Sequence, residues 1–572
     1  KEIDLTGGVP NVQSTTGAIV GDFRWGPVEQ RVLIDNETNL ANTFASPDSA
    51  NTIDWHSASY FLRYSGSLQV VREITDSDAK NARSIIGQLA TDSNNGLGIP
   101  VVKNETDFLG QQSTLAAASH TFIAKYPGAL GNGISVSVCP PDASAFTNWT
   151  YATEFDAAPG TSNYASQAGA SNDEIHIVVV DSDGEFTGTR GTVLERYPFM
   201  SVGNNAKNTD GTTNYALDII NSRSSYVWMA GFDSDFSAAG AGTNIDNGDD
   251  FDPTNLTTAT KYRFDKGANS AALGTSEFLS GFDLFEDKDI VEIDFLIAPG
   301  MPAREAQTTV VNDLVTTAQS LRKDCVVVTS PARSDLVNLT NTASMTTNTV
   351  TTANTFTNSS YLVNDGNYLK IYDKFNDQYI NIPAASSTAG IMAATDLNRA
   401  PWFSPAGSRR GQYLGITAIS YSPTKAQRDT LYKAGVNPIA NIPGQGILLF
   451  GDKTKLGRPS AFDRINVRRL FLVLERAIGR AAEQVMFEFN DEFTRAEFVN
   501  IVEPVLREVR GRRGITDFRV VCDETNNTPA VVDRNEFIAN IFIKPARSIN
   551  YVTLNFVAVR TGVDFEEVVG TV

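Results

Sequence analysis

The sequence is poor in the residues on which chemistry and covalent cross-linking depend. Its 572 residues include three cysteines, Cys139, Cys325 and Cys522. They are far apart, form no C-x-x-C pair and give no disulfide framework, which suits a reducing compartment. There are three histidines, His56, His120 and His176, none with a metal-ligand residue three or four positions later. Structural or surface roles fit them better than catalysis or metal binding. No H-E-x-x-H or G-x-S-x-G pattern occurs, so no acid–base or nucleophile set is in view. No run approaches the ~18 consecutive apolar residues of a membrane span, and no signal-like start is visible. Basic charge is in deficit: 47 Lys and Arg against 66 Asp and Glu leave a net charge of −19, which disfavours nucleic acid as the main partner. The expectation is a non-enzyme with no cofactor, no bound metal, no nucleic-acid partner and no membrane insertion.

Three near-misses support it. The stretch 446–454 has the G-x-x-x-x-G spacing and the Lys-Thr of a phosphate loop, but Asp452 intervenes before Lys453. Bulky Ile447, Leu448, Leu449 and Phe450 fill what should be an amide-lined cradle, so this reads as a strand and turn. Asp181-Ser182-Asp183-Gly184 and the Asp-rich run from Asp246 to Asp252 depart from the calcium-loop pattern and read as turns. The N-x-[ST] sites at Asn104, Asn148, Asn255 and Asn338 carry no meaning outside a secretory pathway.

What is present is organised in segments, about four domains at ~150 residues each. Residues 1–16 are polar and aperiodic, an arm read as truncated because the chain opens at Lys1 rather than Met. In 17–75, a first core or inner segment, Gly17–Gly21 reads as a buried strand and Trp25-Gly26-Pro27 as a turn. Arg31–Ile34 follows as a strand, 57–64 as a helix and 67–74 as a strand. Across 76–289, short strand-like runs at 134–138, 175–180 and 226–229 alternate with Gly/Ser/Asn/Asp/Thr tracts. This is the pattern of β-rich inserted domains with exposed loops. Within 290–384, the runs 290–298, 303–321 and 325–329 predict a strand–helix–strand crossover and hence a parallel pair. The stretch 341–360 lacks any charged residue and is dominated by Thr and Asn; it reads as a polar loop or hairpin. A strand pair is expected in 370–381.

The last segment, 385–561, carries a helix at 424–433 and a strand at 446–450. A long helical pattern follows, with Val467, Leu470, Phe471, Leu474, Ala477, Ile478, Ala481 and Val485 on one stripe. Its other face bears Arg464, Arg468, Arg469, Arg476 and Arg480. Within 451–480 eight basic residues stand against three acidic ones, a local net of +5 on a −19 chain. Such a face points to an acidic partner; the competing reading has Arg468 and Arg469 bound within the domain by Asp463 or Glu475. Arg507, Arg510, Arg512 and Arg513 form a second basic patch. A second helix is expected from a Thr494/Glu497 capping box, with Phe498, Ile501, Val502, Val505 and Val509 inward and Pro504 kinking or restarting it. Strands follow at 515–522, 536–543 and 549–559. Beyond Gly562, the 562–572 arm contains Val563, Asp564, Phe565, Glu566, Glu567, Val568 and Val569, strand-like and able to add to a neighbour's sheet edge.

Several stretches carry a family resemblance. Ile465-Asn466-Val467-Arg468-Arg469-Leu470, Val521-Cys522-Asp523-Glu524-Thr525 and the run 545–556 opening Pro545-Ala546-Arg547 resemble tail sheath proteins of contractile-tailed, T-even-type bacteriophages. Trp25-Gly26-Pro27 and Tyr126-Pro127-Gly128-Ala129-Leu130-Gly131-Asn132 are similar to that family in the N-terminal half. The resemblance implies an α+β multidomain fold, with a mixed α/β sheath core built from N- and C-terminal segments, β-rich outer insertions and extended terminal arms. It implies a helical homo-oligomer joined by exchanged strands, here Glu2, Ile3 and Asp4 at one end and 563–569 at the other. It also implies assembly in the host cytoplasm around a tail tube protein, which the five arginines of the basic helix would face. Baseplate and tail terminator proteins would be further partners, in a virion tail that contracts to deliver the genome. A bacterial contractile injection system or phage-tail-like bacteriocin is the alternative setting. A different class, a glycan-binding protein, would use the loop aromatics Trp149, Tyr151 and Tyr164.

Overall fold

The first apolar run, Gly17–Gly21 (β1), is buried along its whole length because it has parallel neighbours on both sides, the setting that favours a continuous apolar strand. The computed structural model describes residues 15–85, 101–117, 121–232, 240–251 and 259–548. After β1 the chain forms β2 (Arg31–Ile34), α1 (Glu37–Phe44), α2 (Thr52–Leu62) and β3 (Leu68–Arg72). Two helices stand where the sequence pattern gave one. The first is Asn-rich and weakly periodic, yet Asn36 caps it by accepting from the Asn39 amide.

The chain then enters an antiparallel sheet of seven strands: β4 (Arg83–Ile85), β5 (Phe122–Ala124), β6 (Ile134–Cys139), β7 (Glu174–Asp181), β8 (Thr192–Ser201), β9 (Val227–Met229) and β10 (Thr260–Asp265). Both faces of β7 are covered. Ile175, Ile177 and Val179 pack with Val136 and Tyr262, while Val178 and Val180 pack with Cys139 and Trp149. Trp149 is therefore core: its indole N–H donates to Ser137 Oγ at 2.9 Å and its ring stacks 5.3 Å from Phe155. Tyr151 packs edge-on against it, and Tyr164 packs on the other core. These aromatics serve packing, which corrects the glycan-platform reading.

The chain returns to the first sheet through β11 (Phe295–Ile297), α3 (Arg304–Thr316) and β12 (Val326–Thr329), and the two strands pair in parallel as expected. A π turn, Thr317–Arg322, extends the helix. It buries Arg322, whose guanidinium donates to the carbonyls of Phe285, Asp287 and Val291 and pairs with Asp324.

The polar stretch 341–360 is not a loop. Thr342–Thr355 (α4) is a helix. Asn341 caps it, and Thr346, Thr347, Thr349 and Thr351 return their hydroxyls to carbonyls four residues back. That satisfies groups which would otherwise compete with the backbone. Met345, Thr349, Thr352 and Ala353 are buried, and the Thr352 hydroxyl donates to Asp335, which also pairs with Arg304 at 2.8 Å. Tertiary burial overrides the low helix propensity of Thr and Asn.

Next come β13 (Leu362–Asn364), the expected strand pair β14 (Tyr368–Asp373) and β15 (Gln378–Pro383), and the buried helix α5 (Ala385–Asn398). They are followed by β16 (Ala418–Ile419), α6 (Lys425–Lys433), and the hairpin β17 (Ile439–Ile442) and β18 (Gly446–Leu449). The first sheet runs β13-β12-β11-β1-β3-β2. The predicted short helix is capped at Thr424 by a box with Gln427.

Two compact units result. Of the described residues, the larger holds those within 15–401 and Pro405–Arg468; the smaller includes Trp402–Ser404 and 469–548. The long basic helix α7 (Ile465–Glu483) is followed by α8 (Glu492–Gly511). In the smaller unit α8 packs on β19 (Ile515–Val521), which pairs antiparallel with β20 (Asn540–Pro545). Here α8 starts earlier than its predicted capping box: Asp491 is the cap, accepting from the Thr494 amide at 2.9 Å. Nor does Pro504 break α8, since Pro504 and Asn500, the residue whose carbonyl loses its donor, are both exposed. The expected strand 549–559 and the arm residues Glu2, Ile3, Asp4 and 563–569 lie outside the described residues.

Candidate assembly surface

The basic helix is entered through a turn that is itself held by charge. After β18, Asp452, Thr454 and Lys455 are buried, which confirms a strand and turn rather than a phosphate cradle. Lys455 Nζ donates to the Ala434 carbonyl at 2.7 Å, and burial pulls its pKa down. Lys453 Nζ donates to the Tyr432 carbonyl at 3.0 Å and lies over the Tyr432 ring. Arg464 closes the arrangement: it donates to Tyr432 Oη at 2.5 Å and pairs with Asp452 at 3.4 Å and Asp463 at 3.6 Å. Burial alone would lower its guanidinium; Tyr432, Asp452 and Asp463 hold it above its ordinary value.

The five arginines of the predicted face are thus not equivalent. Residues 465–470 are buried on every side, Arg468 and Arg469 included. Arg468 lies between the rings of Phe462 and Tyr361. Arg476 and Arg480, further along, are half-buried, and both hold interactions within the protein. Asp463, proposed as the internal partner of Arg468 or Arg469, pairs instead with Arg464. On the apolar stripe Val467, Leu470, Leu474, Ala477 and Ala481 are buried as expected, and Leu472 joins them.

The second basic patch is more open. Arg507, Arg510, Arg512 and Arg513 are all exposed at the C-terminal end of α8. Arg507 pairs with Glu503 and Arg512 with Glu508, each four residues apart. The Arg512 guanidinium also lies 5.2 Å from the Trp402 ring centre.

One feature went unread in the sequence. The connection between α7 and α8, with the first turn of α8, exposes Met486, Phe487, Phe489 and Phe493 at 57%, 101%, 84% and 76%. The signal was there, three Phe among Glu488, Asp491 and Glu492 between two helical patterns.

Elsewhere the residues weighed for chemistry in the sequence take packing and turn roles. His56 is buried with its Nε2 3.1 Å from Asp373. His176 is stacked 4.3 Å from the Phe155 ring; burial lowers the pKa of both. Asp181 accepts from the amides of Gly184, Phe186 and Thr187, a turn rather than a calcium loop. The three cysteines are free and buried. Among the described residues no group of three or more His, Cys, Asp or Glu side chains could hold a metal ion, and no helix is long and apolar enough to cross a membrane.

This architecture is shared with solved sheath tail proteins. The one from Listeria innocua superposes with a TM-score of 0.55 over 94% of this chain and 93% of its own, at 13% identity. The one from Desulfitobacterium hafniense gives 0.52 over 96% and 99%, at 12% identity. Those identities speak to the fold alone; sequence relatives define the family. The phage tail sheath protein central domain matches residues 272–455 and the phage tail sheath C-terminal domain residues 458–558. The tail sheath protein of Enterobacteria phage T4 is 32% identical, with 100% of this chain and 98% of the relative covered. That of Vibrio phage KVP40 is 31% identical with the same coverage. The chain belongs to the phage tail sheath protein family, the structural subunits of the sheath in contractile phage tails.

Proposed function

We propose that copies of this chain polymerise as stacked rings around a tail tube and that the polymer shortens to drive the tube through the host envelope. The observation that carries this reading is the match to phage sheath proteins along essentially the whole of both chains. Head-to-tail contacts between copies generate an open helix rather than a closed dimer. The extended form is a kinetic trap, and the energy of contraction comes from the larger interfaces between copies that form on collapse. Baseplate and tail terminator proteins bound the polymer, which is assembled in the host cytoplasm without nucleic-acid contacts or membrane insertion.

Exchanged strands hold the copies together: Glu2, Ile3 and Asp4 from one terminus and 563–569 from the other add to neighbouring sheets. The β19–β20 pair is consistent with this, since it is a two-stranded sheet among the described residues and two strands alone are marginal. Tube contacts must instead be breakable, and charge pairs of about 0–1 kcal/mol each suit that. Of the basic-helix arginines, Arg464, Arg468 and Arg469 are engaged at or near the helix's buried start, so Arg476 and Arg480 carry the tube-facing role in this reading. Replacing both, Arg476→Glu with Arg480→Glu, abolishes co-assembly with tube protein and leaves tube-free polymers intact. Co-assembly unchanged in a folded variant contradicts the assignment.

A further inference from the structure

The exposed rings between α7 and α8 need an explanation that the sheath reading does not supply. Three Phe side chains at three-quarters exposure or more within 487–493 present on the order of a few hundred Å² of aromatic surface. That equals the largest apolar patch on an ordinary monomer. Phe487 is moreover held at φ +69°, a left-handed conformation that side-chain-bearing residues rarely adopt. The same stretch, from the end of α7 through the first turn of α8, is acidic: Glu483, Glu488, Asp491 and Glu492 lie in 483–493 with no Lys or Arg among them. At the far end of α8, about 30 Å away along a 20-residue helix, Arg507, Arg510, Arg512 and Arg513 oppose Glu508 alone within 507–513. Helix-dipole preference accounts for acid at the first turn and base at the last. It does not account for bare phenylalanines beside the acid.

We propose that the aromatic, acidic stretch 484–493 of one copy, the α7–α8 connection with the first turn of α8, docks on the basic C-terminal end of α8, around Arg507, Arg510 and Arg513, in a second copy. Both halves of the contact are on one chain and at opposite ends of one helix. Each copy therefore offers one unused end, and the association propagates head to tail. Arginine suits such an end because its guanidinium stacks on rings and pairs with carboxylates. Arg510 already lies 5.4 Å from the Phe518 ring and Arg512 5.2 Å from Trp402. The carboxylates set register and encounter rate, and the rings supply desolvated area. The proposal rests on the reading that copies of this chain polymerise, and it assigns one of the surfaces that hold them.

The test uses full-length chains, with polymer followed by sedimentation and electron microscopy in the absence of tube and, in a parallel arm, with tube protein present. One variant carries Glu488→Arg and Glu492→Arg, a second Arg510→Glu and Arg513→Glu, and a third all four changes. Asp491 is left in place because it caps α8. Each two-site variant raises the critical concentration for polymerisation by about tenfold or more. The four-site variant restores it to within about threefold of the unmodified chain, and a mixture of the two two-site variants co-polymerises. Phe489→Ser raises the critical concentration without lowering the melting temperature of the monomer. Two-site variants that polymerise like the unmodified chain overturn this contact while leaving the sheath reading standing. So does failure of the four-site chain to recover although it melts normally. Loss of tube co-assembly with tube-free polymer intact overturns it in favour of a tube contact. A lowered monomer melting temperature for Phe489→Ser overturns it in favour of cover by the chain's own residues. An unmodified chain that never polymerises removes both the contact and the reading beneath it.

Discussion

The guanidinium of Arg468 lies 4.2 Å from the ring centre of Phe462 and 4.3 Å from that of Tyr361, while its Nε–H donates to Ser360 Oγ at 3.1 Å. A charge held between two rings and a hydroxyl, with the residue buried, is part of the packing of the larger unit rather than a surface offered to a partner. Arg468→Ala lowers unfolding free energy by about 2–3 kcal/mol, from two cation–π contacts and a charged hydrogen bond. Arg468→Lys recovers only part, since an ammonium cannot lie flat against both rings. Urea unfolding of the unpolymerised chain reads both; an Arg468→Ala chain as stable as the unmodified one contradicts this role.

A second packing relationship sets how closely two helices approach. A Cβ on Gly390, in α5, would stand 2.5–3.0 Å from the side chain of Tyr64, just beyond α2. In an isolated helix Gly→Ala gains up to about 1 kcal/mol. Here overpacking dominates, and Gly390→Ala destabilises by about 1–3 kcal/mol, measured as a fall in the urea midpoint. A rise in the midpoint would contradict the close approach.

Buried carboxylates make the larger unit sensitive to pH. Burial, opposed by Arg72 and reinforced by Asp54 and Asp48, pushes Asp22 up to about 7. Burial likewise takes Asp54 to about 6, Glu73, with help from Glu29, to about 8, and Asp365 to about 7. Each folded-state value lies above the unfolded one, so the folded state binds protons more tightly. Stability therefore rises as pH falls from about 8 towards the ordinary carboxylate range. His56 and His176, whose values burial lowers, work in the opposite sense below the ordinary imidazole range, and so does Asp373. Burial would raise it, but donors from Asn376 and Thr52, with His56 alongside, hold it well below its ordinary value. Its contribution is present above about pH 4 and is lost below. Melting temperature should peak in mild acid, and Asp22→Asn should raise it at about pH 8 but not at about pH 5. A flat profile, or equal gains at both pH values, would contradict this.

Legibility in the sequence followed periodicity and burial. Gly17–Gly21 and the β11–α3–β12 crossover were readable because a buried parallel strand is an uninterrupted apolar run and a crossover helix has a clear stripe. Thr342–Thr355 was not, because its hydroxyls satisfy the backbone and its burial comes from distant residues such as Arg304 and Asp335. The start of α8 was misread for a local reason: Thr494 and Glu497 fit a capping box, but Asp491 caps the helix by reaching the Thr494 amide from three residues upstream. The basic helix was half legible. Five of its eight stripe positions are buried, while Phe471 and Ile478 are half-buried and Val485 falls beyond the helix end; nor does an amphipathic pattern reveal that the first turns are enclosed on all sides and that Arg468 is among them. The exposed phenylalanines were hidden by the rule that apolar residues belong inside, which surfaces built for partners break.

The most direct test of the sheath account is electron microscopy of the purified full-length protein, without tube, beside a chain ending at Thr561. The account predicts long striated tubes from the full-length protein and none from the shortened one. Full-length protein that remains a monodisperse monomer across concentration and salt would contradict it.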